Sequence, residues 1–358
     1  MTLLLIGNQP MPYAWGSEHL LQEFANLGVE GEPAAEVWFG SHPTAPSEIV
    51  GEARGLDQLA PNLGFMVKFL AAAKPLSIQA HPSRERAQEQ FALGNPSYSD
   101  ANHKPEMTIA ITEFEALCGF RQLDEIEADL KSLAKASELF APWLAAFEAG
   151  GIQAALEFAF SNNNLSSALG THVTALSRSR VQLYLALADH FPEDVGLMVG
   201  TVLMRHVVLA PGEALFLPAG NIHGYLKGLA VEVMASSDNV LRGGLTPKRI
   251  DVPELMQVLD FNPIAEPKVR TRAVANGLTH YPADVSDFSV YRVEPSASNM
   301  LIDLTLEGQM IAVCTAGEIE ISTSKDEYLK LKRGQAAFVS DTRLFSVTGT
   351  GSGYLAMG

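Results

Sequence analysis

Between Glu36 and Phe120, apolar and polar positions alternate in short runs, AEVWFGSHPTAPSEI, FMVKFL, LSIQAHP, EMTIAIT and EALCGF, separated by Pro and Gly. A period of two with turn-forming punctuation predicts strands, and strands spaced this closely predict an all-β unit. After Arg121 the period lengthens. Ile126, Leu130 and Leu133 recur at i, i+4 and i+7, the stripe of an amphipathic helix, and Asp124 with Glu127 has the N-cap and N3 spacing of a capping box. The same style runs through Phe140–Phe160 and Leu165–Phe191, broken at Gly150-Gly151 and at Asn162–Asn164. Gln122 to about Asp194 therefore reads as a helical insertion.

Strand character returns at Val195 and continues through HVVLAPGEALFLPAG and AVEVMA; a short helical segment follows near Pro253–Leu259. The final stretch, with IDLTLEG, IAVCTAGEIEIS, YLKLKRGQAAFV and LFSVTG, has the even spacing of a second β-barrel or sandwich. The expected fold is mainly β with an α-helical insertion. Its expected units are residues 1–121 with 195–255, residues 122–194, and residues 256–358.

At 358 residues and 47% apolar composition, the chain has enough material for more than one core. Leu3–Ile6 has no basic residue before it and stops at Gly7-Asn8, so it reads as an opening strand and not as a secretory signal. No run approaches the roughly 18 apolar residues that span a bilayer; the richest stretch, Phe65–Leu76, is cut by Lys68, Lys74 and Pro75. A soluble cytoplasmic protein is expected. Cys118 and Cys314 are the two cysteines and lack CxxC spacing, which predicts reduced, buried side chains and no thiolate metal site. A net charge of −16 argues against nucleic acid or an anionic membrane as partner. An anionic substrate would need a local cluster of cations.

Candidate chemistry concentrates in three places. In Leu76–Pro82, strand alternation points Ser77, Gln79 and His81 to one face, so Gln79 and His81 can share one ion. In NHKPEM, Pro105 pushes Lys104 out of helix and hands the chain into an extended run with Glu106, Thr108 and Ala110 on one face. In GEALFLPAGNIHGYL, Gly212, Pro218, Gly220 and His223 have a spacing that resembles the second conserved motif of the cupin superfamily, which aims a histidine into a barrel. Two imidazoles, an amide and a carboxylate are N and O donors suited to zinc, with Mn, Co or Fe as alternatives, and leave open positions for water or substrate.

With these motifs the chain is similar to the type I mannose-6-phosphate isomerases. The matching segments are AEVWFGSHPTAPSEI, AKPLSIQAHPSRE, NHKPEM, EALCGFR, PGEALFLPAGNIHGYL and VEVMASSDNVLRGGLTPK, which cover the β portions of roughly the first 250 residues. The resemblance implies a zinc-dependent interconversion of mannose 6-phosphate and fructose 6-phosphate, with one Zn²⁺ per monomeric chain. It implies a cupin (jelly-roll) metal-binding core with an inserted helical unit, and a second cupin-like C-terminal barrel without metal. The family's metal positions fall on Gln79, His81, Glu106 and His223, and its catalytic arginine on Arg242.

Moving a carbonyl between adjacent sugar carbons needs a base that takes a proton from carbon and a stabiliser of the enediolate charge. Glu232 is favoured as base, because alternation in VEVMA separates it from Val231 and Val233. Asp238, His103 and Lys104 are the other proton carriers on offer. Arg242, Lys248 and Lys104 form the cationic set that a phosphate requires, and Ser77 adds a hydroxyl donor. Trp15 and Trp38 read as core or pocket-wall aromatics. The competing expectations are an oxygen-activating cupin enzyme and a sugar-phosphate-binding cupin without catalysis.

Overall fold

A computed structural model describes residues 2–295, 302–305, 308–323, 327–340 and 344–358. Among these residues the chain forms sheets of nine, eight and four strands, with helices concentrated between residues 123 and 203. The nine-stranded sheet is organised by one long strand, His223–Ala235. Its first half pairs with Ile78–Ala80 and Phe114–Phe120, and its second half with Phe65–Ala72 and Glu106–Ala110. The exchange of partners occurs at Gly228, where φ is +120° and a Cβ would lie 2.5 Å from the Glu113 carbonyl oxygen. Only glycine meets both conditions without strain.

The helical insertion follows the predicted stripe. Helix Leu123–Ala136 buries Ile126, Leu130 and Leu133 against Trp143, Leu156 and their neighbours. Its capping box is formed by Gln122 and Glu125, not by Asp124 and Glu127. Strand Phe114–Phe120 ends immediately before, and Gln122 is the last residue with extended backbone, so the helix starts two residues earlier than the acidic pair suggests. Helix Ala141–Ser161 is interrupted at Gly150 and Gly151, and helices Leu165–His172 and Arg178–Ala188 follow. A window within residues 138–161, with mean hydropathy 1.2, is long and apolar enough to cross a membrane by composition, richer than Phe65–Leu76 suggested. In the fold, its Trp143, Phe147, Ile152 and Leu156 are buried in the insertion's core.

The strand expected from Val195 begins only at Met204. Residues Gly196–Met198 and Val199–Leu203 are helical and wholly buried. A segment that is apolar on every side carries no periodicity to separate helix from strand, and here packing against the inserted helices decides. The helix expected near Pro253 spans Val252–Val258, with the Asp251 side chain accepting from the Glu254 N–H.

The C-terminal strands include Gln309–Ala316, Glu318–Thr323, Tyr328–Lys332, Ala336–Ser340 and Leu344–Gly349. Within IDLTLEG, Ile302–Thr305 is a strand, while Leu306 and Glu307 lie outside the described residues. Strand Thr2–Gly7, grouped by sequence with the first β unit, pairs with Ala336–Ser340 on one side and Glu48–Ile49 on the other. Its Leu3 and Leu5 pack into one core cluster and Leu4 and Ile6 into another, as expected of a strand covered on both faces.

Candidate active site

His81, Glu106 and His223 are each about 1% exposed, and their ligand atoms lie within 4.8 Å of one another. Three different local structures deliver them. His81 follows the short strand Ile78–Ala80, Glu106 opens the strand after Pro105, and His223 opens the long central strand. The Gly220 N–H donates to the His81 carbonyl (2.9 Å), which ties the Pro218–Gly220 turn to the other histidine's segment.

Each imidazole is oriented by its Nδ1–H. His81 donates to the Asn239 carbonyl (2.7 Å) and His223 to the Asn221 carbonyl (3.0 Å). Both Nε2 atoms are thereby left with lone pairs, 3.3 Å from the two Glu106 oxygens, buried and without a hydrogen-bond partner. Two orphaned lone pairs facing a buried carboxylate are costly unless a cation lies between them. The donor set therefore fits a divalent metal. Burial, opposed in part by Glu106, lowers the His81 pKa to about 4, so the ring is neutral, as a metal ligand must be. For Glu106 burial acts upward, but Lys104 and the two imidazoles outweigh it and hold the carboxyl well below its usual range.

Gln79 stands directly opposite His223 on one neighbouring strand and Arg242 on the other. Cross-strand partners share a face of the sheet, so register brings the amide, the imidazole and the guanidinium together. Lys104 Nζ is 3.0 Å from Glu106 Oε1. The Tyr225 hydroxyl is within hydrogen-bond distance of both Thr108 (2.5 Å) and Glu106 (3.4 Å).

Glu232 is 2% exposed and faces Lys68 and Thr108 across the sheet. Lys68 Nζ bridges Glu232 (3.4 Å) and Glu36 (3.5 Å) and lies 4.9 Å from the centre of the Trp38 ring, whose Nε1–H donates to Glu36 (2.7 Å). Burial and the charge of Glu106 raise the Glu232 pKa, offset in part by Lys68. Burial acts downward on Lys68, but Glu36 and Glu232 outweigh it and keep the ammonium charged. Sequence reasoning missed Lys68 and Glu36 as site residues. A lysine inside the apolar run FMVKFL was the available signal.

Around the rim, Asp238 pairs with His42 (3.2 Å), which lowers its pKa. Asp238 lines two adjoining clefts. One, of about 290 Å³, also contains Arg242, Arg249, Ser97 and Ser99; the other, of about 550 Å³, contains His42, Asn102 and His103. Arg242 has no ion-pair partner among the described residues, and burial lowers its pKa. Lys248 is exposed beyond the strand Leu241–Gly244, and its neighbour Arg249, not singled out by sequence, lines the smaller cleft. His103 Nε2 lies 2.9 Å from Asp287 Oδ1 and 2.5 Å from the Arg84 guanidinium. Ser77 is half-buried before the Gln79 strand. Both cysteines are buried and unpaired.

Residues 3–123 match the model of the phosphomannose isomerase type I catalytic domain. Over 96% of both chains, the sequence is 35% identical to the mannose-6-phosphate isomerase of Salmonella typhimurium. The chain belongs to the type I phosphomannose isomerases. It is 32% identical to the human mannose-6-phosphate isomerase over 91% of this chain and 90% of that one. The fold matches a crystal structure of an arginine-to-alanine variant of the Salmonella phosphomannose isomerase, with a TM-score of 0.91, 30% identity and full coverage of both chains. It also matches a mannose 6-phosphate isomerase bound with zinc and yttrium, at a TM-score of 0.88 and 30% identity over both full chains.

Proposed function

We propose that this chain interconverts mannose 6-phosphate and fructose 6-phosphate, using one Zn²⁺ held by Gln79, His81, Glu106 and His223. The observation that carries the reading is the pair of buried, partnerless Nε2 atoms facing Glu106. When bound there, the ion supplies Lewis-acid polarisation of the sugar oxygens. Glu232 takes the proton from one of the two reacting carbons and returns it to the other, and Lys68 holds the carboxylate in its ionised form. Arg242 with Lys248, joined by Arg249, offers guanidinium and ammonium donors to phosphate or to an enediolate oxygen. Lys104 and Asp238 stand at the pocket as further proton carriers, and Ser77 supplies a hydroxyl donor.

The domain assignment belongs to the same reading. A cupin-like catalytic unit comprises residues 1–121 and 195–255, the helical insertion residues 122–194, and a cupin-like unit without metal residues 256–358. The test is isomerisation of mannose 6-phosphate by zinc-loaded protein in deuterated water, followed by NMR. Fructose 6-phosphate with deuterium entering at C1 or C2 is expected, with loss of both on chelation. Absence of both from the zinc-loaded protein would overturn the assignment. Glu232→Gln is expected to lower kcat by about 10²- to 10⁴-fold with zinc content unchanged.

A further inference from the structure

Strand Leu241–Gly244 carries Arg242, and the chain leaves it through an irregular turn before reaching Lys248 and Arg249. The pairing of this strand with Ile78–Ala80 shifts register between Arg242 and Gly244, as at a bulge. Gly244 then has φ +134° and Leu245 φ +51°. A left-handed leucine is strained and persists only where its surroundings impose the conformation.

Asp194, which follows helix Arg178–Ala188, imposes it. Its Oδ1 accepts from the N–H groups of Leu245 and Gly196 (2.6 Å each), and its Oδ2 from the Thr246 N–H (3.3 Å). With an ionised carboxylate as common acceptor, these are charge-assisted hydrogen bonds. The contact leaves no room for further side chains: a Cβ on Gly196 would lie 2.5 Å from the Leu245 nitrogen, and one on Gly244 2.6 Å from the Gly196 Cα. The other side of the contact is strained too. Glu193 has φ +68°, and its carbonyl accepts from the buried Ser166 hydroxyl (2.6 Å). Among the described residues, the non-glycine positions with positive φ are Asn26, Glu193 and Leu245, and two of them flank this one contact. Backbone strain over-determined by its surroundings clusters at ligand clamps. Beyond the turn, the Lys248 N–H donates to the Thr246 hydroxyl (3.1 Å), and Arg249 lines the 290 Å³ cleft together with Arg242.

The geometry points to Asp194 as a positioning residue of the isomerase: by holding the N–H groups of Leu245 and Thr246, it fixes Lys248 and Arg249 relative to Arg242. The inference rests on the reading of these cations as receivers of the substrate's phosphate. An anion held by cations from both ends of a turn needs them at a fixed separation. A loosened turn therefore weakens binding and leaves the groups around the metal ligands in place.

The test is steady-state kinetics on mannose 6-phosphate, with zinc content measured, for Asp194→Ala, Asp194→Asn, the double variant Lys248→Ala, Arg249→Ala, and the triple variant that adds Asp194→Ala to the double. Asp194→Ala is expected to raise KM about tenfold or more. Its kcat should stay within about twofold of wild type, because the weakened interaction is made equally to substrate and transition state, and its zinc content should be unchanged. Asp194→Asn can still accept from the Leu245 N–H but presents an amide donor in place of one oxygen. It is expected to raise KM less, and it decides the matter if the alanine variant does not fold. In the triple variant, Asp194→Ala is expected to add less than about twofold to the KM of the double variant, since residues acting as one unit are not additive. A wild-type KM in every Asp194 variant that folds, or a KM rise that multiplies in full with that of the double variant, would overturn the proposal and leave the phosphate reading standing. A double variant with wild-type KM would overturn that reading, and this proposal with it.

Discussion

Glu232 shows how one residue's chemistry depends on neighbours distant in sequence. As the proposed base, Glu232 must be ionised, and its raised pKa means that it reaches the ionised state only above the ordinary value of 4.5. Activity controlled by Glu232 is therefore lost as pH falls through this raised pKa. The acidic limb of kcat/KM is expected at higher pH than for a solvated carboxylate, and Lys68→Met should move it higher still by removing the offsetting cation. A limb unmoved by Lys68→Met would separate Lys68 from the chemistry. The same substitution strands two buried carboxylates, Glu36 and Glu232. Breaking a buried ion pair from one side costs about 3–5 kcal/mol, so urea unfolding should show a loss of that order. The alternation of VEVMA was enough to predict that Glu232 faces away from Val231 and Val233. That it meets Lys68 was not legible, because the pairing Lys68 opposite Glu232 is a matter of register between strands far apart in the chain.

Elements follow the sequence most closely where a single face is buried. Ile126, Leu130 and Leu133 announced their helix because its other side meets water. Residues 195–203 read as strand but fold as helix, since every side is covered and both helix and strand satisfy the pattern. Helix Ala141–Ser161 combines both behaviours: its composition is helical, and its break is imposed by Gly150 and Gly151. Gly151 sits at φ 64°, ψ −149°, a region essentially reserved for glycine, while a Cβ there would touch nothing within 4 Å. Gly151→Ala should therefore cost only the conformational term, about 1–3 kcal/mol, seen as a lowered thermal midpoint with kcat and KM unchanged. Full stability in that variant would show that the kink is optional.

At the scale of the whole molecule, the candidate metal site of His81, Glu106 and His223 joins three segments distant in sequence, and the side chain of Asn239 reinforces it from outside. Its Nδ2 donates to the carbonyls of Asp100 and Asn102, and its Oδ1 accepts from the Ser99 N–H, while its own carbonyl orients His81. A metal binding only the folded form adds stability through linkage, about 2.7 kcal/mol when free metal exceeds Kd a hundredfold. Chelation should lower the melting temperature and abolish isomerisation together, and readdition of Zn²⁺ should restore both. A chelated protein that melts at the same temperature would argue against the site as drawn.

Local physics was readable from the chain itself. Strand alternation turned Gln79 away from the buried Ile78 and Ala80, Pro105 started the Glu106 strand, and the Pro218–Gly220 turn preceded His223, because each depends on backbone geometry over a few residues. The tertiary structure decided what long-range pairing alone can specify. Strand Thr2–Gly7 sits between Ala336–Ser340 and Glu48–Ile49, Lys68 is locked between Glu36 and Glu232, and His103 contacts Arg84 and Asp287. Each of these depends on which distant segments pack together, and a one-residue change of register would redirect every side chain involved.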